Sequence, residues 1–220
     1  MLAITLLLVM LAALSLPAAG LRLSLRMGAE KTAAFSMGCF WQPELLLRKL
    51  DGVTDVVSGY CGGKNTSPTY KTVCDGDGHL EAVLVKYDSE KISYEKLLQV
   101  YFDYWASQSS VPKDGQYAPR IWYKDESELE LVRTLAPRGS GAYVRPEPAT
   151  KFYAAEAYHQ NFENKQVPRR LALFVAIVLD LIPNADTNLS KIGAALTVGY
   201  IAITIGERVL GSKVQEVVVE

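Results

Sequence analysis

The sequence contains little cysteine, and its cysteines are not paired in short motifs. Three are present among 220 residues, Cys39, Cys61 and Cys74, and no two of them are spaced as CxxC. Zinc knuckles and thioredoxin-type motifs need closely spaced cysteines, so the sequence predicts neither, and it predicts no bound metal or cofactor. Any disulfide scheme leaves one of the three thiols unpaired. We therefore expect at least one cysteine that is available for chemistry.

The sequence also lacks an excess of charge of one sign. Its formal net charge is -1, from 23 basic and 24 acidic residues. Proteins that bind a phosphate backbone by electrostatics present a broad basic field, which this composition does not provide. We therefore expect no nucleic-acid partner.

The length of the chain favours one catalytic domain with appended segments over two full domains, and we expect a monomer.

The N-terminal segment has no lysine or arginine before its apolar run. Residues 2–16 are almost wholly apolar and are followed by a proline and small residues up to Gly20. This pattern predicts a signal peptide at 1–20 and targeting to the secretory pathway; the missing basic region leaves a membrane anchor or a misassigned start as alternatives. Residues 21–31 have a basic bias, which is compatible with a transit or linker segment and a two-step route into a plastid.

The C-terminal segment, residues 168–220, is apolar again. Its two apolar runs, 171–182 and 192–205, are separated by a polar stretch and predict two short helices or a helical hairpin. Both runs are shorter than the about 20 residues that span a bilayer. Asp180 in the first would cost about 2.5–3.5 kcal/mol at mid-membrane. The sequence leaves membrane-surface association and packing on the core or on a partner as equal alternatives.

The middle of the chain, residues 32–167, alternates short apolar runs with turn signals and amphipathic stretches. It has no internal repeat, and the pattern predicts a compact α+β domain. The elements that we predict are a strand at 33–37, a helix at 40–50, a strand at 81–87, a helix from Ser93 to about Trp105, a helix beginning at Asp125, and loops at 58–68 and 108–119. Cys39 is thus expected where the first strand leads into a helix.

The surroundings of Cys39 favour a nucleophile over a buried structural cysteine. Backbone N–H groups at a helix N-terminus stabilise a thiolate and would lower the thiol pKa. Phe40 and Trp41 follow directly and would form an apolar pocket for a small methyl-bearing group, with core packing as the alternative. Glu81 begins a predicted strand, where an apolar setting would raise its pKa and make it a proton donor; a surface carboxylate is the alternative.

Together these segments resemble the type A peptide methionine sulfoxide reductases, which reduce the S epimer of methionine sulfoxide. The matching residues occur in the family's order between Thr32 and Asn164. They are Gly38-Cys39-Phe40-Trp41, Leu50-Asp51-Gly52-Val53, Gly59-Tyr60 with Gly62-Gly63, Pro68-Thr69-Tyr70 with Val73-Cys74, Gly78-His79 with Glu81-Ala82-Val83, Tyr87-Asp88 with Ile92-Ser93-Tyr94, Gln116-Tyr117, and Phe152-Tyr153 with Glu156 and Tyr158-His159-Gln160.

The resemblance implies both a fold and a set of roles. The fold is a two-layer α+β sandwich with a mixed sheet and a ferredoxin-like core wrapped by long loops. Cys39 would attack the sulfoxide sulfur, Glu81 would protonate the oxygen, and Tyr70 and Tyr117 would hydrogen-bond it. The S-methyl group would be enclosed by Phe40 and Trp41, and His159 would contact substrate or tie loops together. Free or protein-bound methionine sulfoxide would be the substrate, with thioredoxin or another dithiol as reductant.

The sequence departs from the family at two places. Many relatives carry a resolving cysteine near the C-terminus, but no cysteine follows Cys74 here. Cys61, in a glycine-rich loop, is the expected resolving thiol, with direct attack by thioredoxin as the alternative; Cys74 is expected to be structural. The aspartate that usually precedes Tyr117 by five residues is Pro112. A non-catalytic relative that binds methionine-containing partners is the competing function, although such a binder would not need Cys39 and its acid.

Overall fold

The computed structural model describes residues 30–180, 187–210 and 215–217. The expected signal peptide, and all but the last two residues of the expected transit segment, lie outside these residues. Within them the strands are β1 (Glu30–Ser36), β2 (Val53–Cys61), β3 (Leu80–Asp88), β4 (Arg120–Tyr123), β5 (Pro146–Pro148), β6 (Phe152–Ala154) and β7 (Gln215–Val217). The helices are α1 (Trp41–Arg48), α2 (Tyr70–Cys74), α3 (Tyr94–Ala106), α4 (Glu126–Leu135), α5 (Phe162–Asp180) and α6 (Thr187–Leu210), with a 3-10 turn at Ser140–Ala142.

The strands form one mixed sheet in the order β5-β4-β1-β3-β2-β6-β7. Every neighbouring pair is antiparallel except β4 and β5, which are parallel. The longest ladders join the central strand β3 to β1 and β2. The α+β class and the mixed sheet expected from the sequence are confirmed.

Side chains alternate between two apolar clusters along the central strand. Val83 and Val85 belong to the larger cluster, which also contains buried side chains of α1 and α3, whereas Ala82 and Leu84 belong to a smaller cluster on the opposite face. Both faces of β3 are therefore covered, which explains its near-continuous apolar sequence. Glu81 lies on the same face as Val83 because successive residues of a strand point to opposite sides.

The helix starts follow the capping residues that the sequence indicates. Ser93 precedes α3, and its hydroxyl accepts a hydrogen bond from the backbone N–H of Lys96 at 3.2 Å. Asp125 precedes α4, and its carboxylate accepts from the backbone N–H of Glu128 at 2.9 Å. Each cap satisfies an N–H that has no partner within its helix. Both predicted starts are confirmed.

One local prediction was wrong, and one element was missed. Residues 58–61, expected in a loop, are the end of β2, because they continue the ladder with β3 as far as the pair Cys61 and Leu80. Helix α2 was not predicted at all. It is only five residues long and is set by a capping box in which Thr69 and Thr72 each accept from the other's backbone N–H.

The apolar C-terminal runs form longer helices than expected. The boundary expected at 167/168 falls inside α5, which begins at Phe162 and continues through Pro168. Helices α5 and α6 lie side by side around an apolar cavity of about 380 Å³. Beyond them, β7 pairs with β6 and so returns the chain to the sheet. Among the described residues, no helix combines the length and the apolarity that crossing a membrane requires.

Candidate active site

Cys39 lies in the turn between β1 and α1. Gly38, just before it, adopts a left-handed backbone conformation with φ of 75°. A Cβ at Gly38 would make only ordinary contacts, 3.7 Å from Trp105 and 3.9 Å from the Tyr104 hydroxyl, so backbone conformation rather than space favours glycine. The turn leaves Cys39 exposed, whereas Phe40, the next residue, is buried. The thiol is therefore presented at the edge of the core.

The carboxylate of Glu81 is fixed beside this turn. Its Oε2 atom accepts a hydrogen bond from the backbone N–H of Phe40 at 3.0 Å. Its own backbone N–H donates to the carbonyl of Gln116 at 2.8 Å, and the Gln116 side-chain amide lies 3.5 Å from Oε1. These bonds bring the turn at Cys39 and the loop at 108–119 to the same carboxylate.

Burial changes the acidity of Glu81. The side chain is 1% exposed, and this desolvation raises its pKa from the ordinary 4.5 to about 7, although the hydrogen bond from the Phe40 N–H opposes the shift. The direction agrees with the expectation from the sequence. A carboxylic acid with this pKa keeps a proton to donate near neutral pH.

The pKa of Cys39 is raised, not lowered. Partial burial of the thiol is the main cause, and the negative charges of Glu81 and Glu163 add to it. The backbone N–H of Trp41 favours the thiolate, as expected at a helix start, but its effect is smaller than the desolvation. The expectation of a lowered pKa was therefore wrong for the resting protein. Because ionised Glu81 disfavours the Cys39 thiolate, protonation of Glu81 removes one of the causes that raise the thiol pKa.

Tyr70 and Tyr117 belong to the same group of side chains. The charges of Glu81, Cys39 and Cys74 contribute to the raised pKa of the Tyr117 hydroxyl, and those of Tyr117 and Glu81 contribute to the raised pKa of Tyr70. Burial raises the pKa of both tyrosines, and neighbouring groups raise that of Tyr70 further. Both hydroxyls therefore remain protonated at neutral pH and can donate hydrogen bonds to an oxygen placed between them.

The aromatic residues after Cys39 are anchored by His159. The Phe40 ring lies 5.1 Å from the His159 ring, and the Trp41 indole N–H donates to His159 Nδ1 at 3.3 Å. On its other side Trp41 stacks on Phe162, with ring centres 3.7 Å apart. His159 is itself 2% exposed. His159 therefore ties the segment before α5 to the start of α1, and the substrate contact expected from the sequence stays a prediction; Trp41 is only partly buried.

Glu156 is a site residue that was included in the family motif but given no role. One carboxylate oxygen accepts from the Tyr60 hydroxyl at 2.7 Å, and the other accepts from the backbone N–H of Tyr70 at 2.9 Å. Glu156 is 5% exposed and lies 4.0 Å from His159 Nε2. This one carboxylate thus holds the start of α2, and with it Tyr70, against the core. The sequence signal that could have identified Glu156 is its position three residues before His159, within the same motif.

The structure does not bring Cys61 to Cys39. Tyr60 pairs with Glu81 across the sheet and so points to the active-site face, whereas Cys61, the next residue, belongs to the smaller cluster on the opposite face. Its side chain is 0% exposed, and its Sγ atom lies 3.2 Å from the Thr150 hydroxyl. This placement contradicts the resolving role expected from the sequence, because the sheet separates the two thiols.

An exposed thiol, a neighbouring proton donor and two hydroxyl donors define a thiol-dependent oxidoreductase site. Residues 31–181, more than half of the chain, match the family model described as peptide methionine sulfoxide reductase. The chain therefore belongs to the peptide methionine sulfoxide reductase family. It is an enzyme that reduces methionine S-sulfoxide by thiol chemistry.

Individual relatives agree with this assignment. The chain is 39% identical over 144 residues to peptide methionine sulfoxide reductase MsrA 1 of Rhodopirellula baltica; the match covers 60% of this chain and 74% of the relative. It is 40% identical over 144 residues to the MsrA of Chromobacterium violaceum, and this match covers 59% of this chain and 81% of the relative. Among solved structures it is similar to reduced Mxr1 of Saccharomyces cerevisiae, with 28% identity and a TM-score of 0.53; the match covers 63% of this chain and 86% of Mxr1. It is also similar to methionine sulfoxide reductase A of Corynebacterium diphtheriae, with 25% identity and a TM-score of 0.54; that match covers 63% of this chain and 76% of the other.

Proposed function

We propose that Cys39 is the nucleophile of the reductase and Glu81 its general acid. The observation that carries this assignment is the 3.0 Å hydrogen bond from the Phe40 N–H to Glu81, which holds a carboxyl group with a pKa of about 7 one residue from the exposed thiol. The scaffold is a ferredoxin-like two-layer core, which the strand order β4-β1-β3-β2 supports, with α1 and α3 packed on its larger apolar cluster.

The reaction transfers one oxygen atom from substrate to enzyme. The Cys39 thiolate attacks the sulfoxide sulfur while Glu81 gives its proton to the oxygen, assisted by hydrogen bonds from Tyr70 and Tyr117. The oxygen then passes to Cys39, methionine leaves, and Cys39 is left as a sulfenic acid. Two electrons come from the Cys39 sulfur, and the proton lost by its thiol balances the proton that Glu81 donates.

The partly buried indole of Trp41 forms the apolar wall beside Cys39. Its position is fixed by the hydrogen bond to His159 and by the stack on Phe162. The buried Phe40 ring lies 6.4 Å from the indole and supports it from the core side. An S-methyl group on this wall would place the sulfoxide oxygen towards the tyrosines and Glu81, because the methyl group is the part that gains from apolar contact.

Steady-state assays test the function directly. The purified full chain is given methionine S-sulfoxide or the R epimer with dithiothreitol, and methionine is quantified beside Cys39→Ser. We expect turnover of the S epimer by the wild-type chain alone. A non-catalytic methionine-binding relative would instead bind peptides without turnover, so peptide binding together with no S-epimer reduction would establish that alternative.

A dithiol, with thioredoxin as the biological example, is proposed to return Cys39 to the thiol. The sulfenic acid forms at an exposed position, so a reductant can approach the site from solvent.

Free methionine sulfoxide and oxidised proteins are both proposed substrates. Rates with the free amino acid and with an oxidised protein, each driven by thioredoxin, compare the two; a chain that accepts dithiothreitol but not thioredoxin would contradict the reductant assignment.

The hairpin of α5 and α6 is proposed to contact a membrane surface after targeting through the secretory pathway. Large apolar side chains are exposed on both helices, including Phe174 at 63% and Val198 at 65%, and Arg170 is exposed beside them. Apolar side chains with a nearby basic residue suit an interface with anionic lipid. Flotation with phosphatidylglycerol vesicles should carry the wild-type chain and not Phe174→Glu, while Leu135→Glu on α4 is the control; equal flotation of the two variants would refute the proposal.

A further inference from the structure

The side chain of Gln116 contacts Glu81 but has no part in the reaction described so far. Its amide nitrogen lies 3.5 Å from Oε1 of Glu81, and its main-chain carbonyl accepts from the Glu81 N–H at 2.8 Å. We propose that Gln116 is a positioning residue for the acid: its amide holds Oε1 as the oxygen that protonates the substrate and stabilises the carboxylate that remains. This inference deepens the proposed function and rests on the role of Glu81 as general acid.

Gln116 lies beside β3 at the point where β1 no longer pairs with it. The ladder between the two strands extends only as far as Phe35 and Val83, and β1 ends at Ser36. Beyond that pair, the acceptor for the Glu81 N–H is the carbonyl of Gln116. A buried backbone N–H needs such an acceptor. Because this bond is made by the main chain, it holds the loop at Glu81 whichever side chain stands at position 116.

A closed turn fixes Gln116 next to Tyr117. Gly115 has a left-handed backbone with φ of 79°, and its carbonyl accepts from the N–H of the buried Ala118 at 3.0 Å. Gln116 and Tyr117 are therefore the two central residues of a hydrogen-bonded β-turn. One turn thus supplies a contact to the acid and, through Tyr117, the proposed hydrogen bond to the sulfoxide oxygen.

The two carboxyl oxygens of Glu81 have different surroundings. Oε2 accepts the Phe40 N–H at 3.0 Å, whereas the 3.5 Å contact between Oε1 and the Gln116 amide is at the long limit of a hydrogen bond. In a protonated carboxyl group one oxygen becomes a donor, and the other keeps the stronger acceptor role. The proton is therefore carried by Oε1, which is the oxygen that donates to the substrate.

The Gln116 amide contributes most when this proton leaves. The bond between Oε1 and its hydrogen breaks, the proton passes to the sulfoxide oxygen, and negative charge develops on Oε1. Hydrogen bonds to ionised acceptors are shorter and stronger than neutral ones, so a donor already aimed at Oε1 gains strength as the charge develops. Gln116 therefore makes Glu81 a stronger acid than the same buried carboxyl group would be without the amide.

The ionisation of Glu81 is well separated from that of its titratable neighbours. The charge of Glu81 contributes to the raised pKa of four of them, which come from the turn before α1, from β2, from α2 and from the loop at 108–119; they are Cys39, Tyr60, Tyr70 and Tyr117. All four stay protonated and uncharged at neutral pH. A titration near pH 7 therefore reports Glu81 itself.

Titration of Glu81 in the full chain tests the inference. Glutamate is isotopically labelled at its side-chain carboxyl carbon for NMR, and the Glu81 resonance is the one that Glu81→Gln lacks. The wild-type midpoint should be about 7. Gln116→Met has a side chain of similar length without the amide and should move the midpoint to about 8, because the carboxylate loses a donor. Gln116→Glu should also raise the midpoint, since two neighbouring carboxyl groups resist carrying two negative charges.

Kinetics distinguish a positioning role from a structural one. In Gln116→Met, the pH at which kcat/KM for methionine S-sulfoxide stops rising should move upwards with the NMR midpoint, and the plateau value should fall about tenfold or more. Gln108→Met is the matched control, because Gln108 is also half-buried and lies in the same loop, but its amide donates to the Tyr104 carbonyl at 3.2 Å. Its midpoint and its rate should equal those of the wild type.

Two results would overturn the inference. One is a Glu81 midpoint that stays at about 7 in Gln116→Met. The other is a lower rate in this variant without any change in the pH dependence of kcat/KM, which would indicate a purely structural effect. A wild-type chain without turnover would instead refute the proposed function, and the NMR midpoints would still report the contact between Gln116 and Glu81, so the two failures are distinguishable.

Discussion

The side chain of Glu81 and the backbone of Phe40 are joined by a 3.0 Å hydrogen bond that spans 41 residues of sequence. The bond ties the central strand β3 to the turn that carries Cys39. It places an acid with a pKa of about 7 beside a thiol whose pKa is raised above its ordinary value. This relation has consequences for rate, stability and thiol reactivity.

The pH dependence of kcat/KM should identify Glu81 as the acid. Catalysis needs protonated Glu81 and ionised Cys39, so the rate should rise with pH up to about 7, form a plateau, and fall above the raised Cys39 pKa. In Glu81→Gln the rate should be lower, and it should continue to rise through pH 7 because no carboxyl group loses its proton there. Initial rates from pH 5 to 10 check this; a break near pH 7 that persists in Glu81→Gln would contradict the assignment.

The same substitution should stabilise the protein at alkaline pH. The folded-state pKa of Glu81 is raised, so the cost to stability is absent below about 4.5, grows between 4.5 and 7, where the unfolded carboxyl group is ionised and the folded one is not, and is complete above about 7. A shift from 4.5 to about 7 corresponds to about 3 kcal/mol. Urea unfolding at pH 8 should show Glu81→Gln more stable than wild type by about 1–3 kcal/mol. At pH 4 the two should be equal, and a stability difference independent of pH would exclude this explanation.

Alkylation of Cys39 should report the charge of Glu81. Because ionised Glu81 raises the Cys39 pKa, the neutral side chain of Glu81→Gln should lower that pKa and increase the rate of iodoacetamide labelling at pH 8. Cys74 in the same protein provides an internal control, since its labelling is followed in a separate tryptic peptide. Slower labelling of Cys39 in the variant would show that the carboxylate does not act on the thiol in this way.

Glu156 should be required for both stability and rate. Both of its oxygens accept hydrogen bonds in a buried setting, from the Tyr60 hydroxyl and the Tyr70 N–H. In Glu156→Gln one acceptor becomes a donor and faces another donor, so we expect a loss of about 2–4 kcal/mol and a lower kcat as Tyr70 is displaced. The exposed Glu130→Gln on α4 is the control and should change stability by less than about 0.5 kcal/mol. A wild-type kcat in Glu156→Gln would show that Glu156 does not position Tyr70 for catalysis.

Gly63 should tolerate no side chain. A Cβ built there would lie 2.1 Å from Nδ1 of the buried His79, which is held by Asp77 at 3.0 Å. Gly63→Ala should therefore lower the free energy of unfolding by about 1–3 kcal/mol. Gly141→Ala, where a Cβ would meet nothing within 4 Å, is the matched control. Equal stability of the two variants in thermal unfolding would contradict the packing seen around His79.

Local sequence signals predicted the elements that depend on local interactions. Ser93 and Asp125 mark helix starts because each cap is made within three residues, and β3 was visible from its run of β-branched and aliphatic residues. The short helix α2 was missed because five residues give no periodic pattern. The end of β2 was mistaken for a loop because its glycines are typical of turns, whereas its ladder with β3 is a long-range interaction.

The chemistry of the site was predictable from residue types, but its energetics were not. Residue types and their positions indicated Cys39 and Glu81, whereas the resemblance to the family implied the roles of Tyr70 and Tyr117 beside them. The raised pKa of Cys39 could not be foreseen, because it depends on how far the thiol is desolvated. The position of Cys61 was misjudged for a similar reason: which face of the sheet Cys61 occupies follows from the β2 register, which places Tyr60 opposite Glu81.

The most direct test of the account is a single turnover of methionine S-sulfoxide by the full chain without reductant, with methionine counted against time. The wild-type chain should release one methionine per chain and Cys39→Ser none. Glu81→Gln should reach the same yield about 100-fold to 10,000-fold more slowly, because it lacks the acid and keeps the nucleophile. Release of methionine by Cys39→Ser, or wild-type speed in Glu81→Gln, would contradict the roles assigned to these two residues.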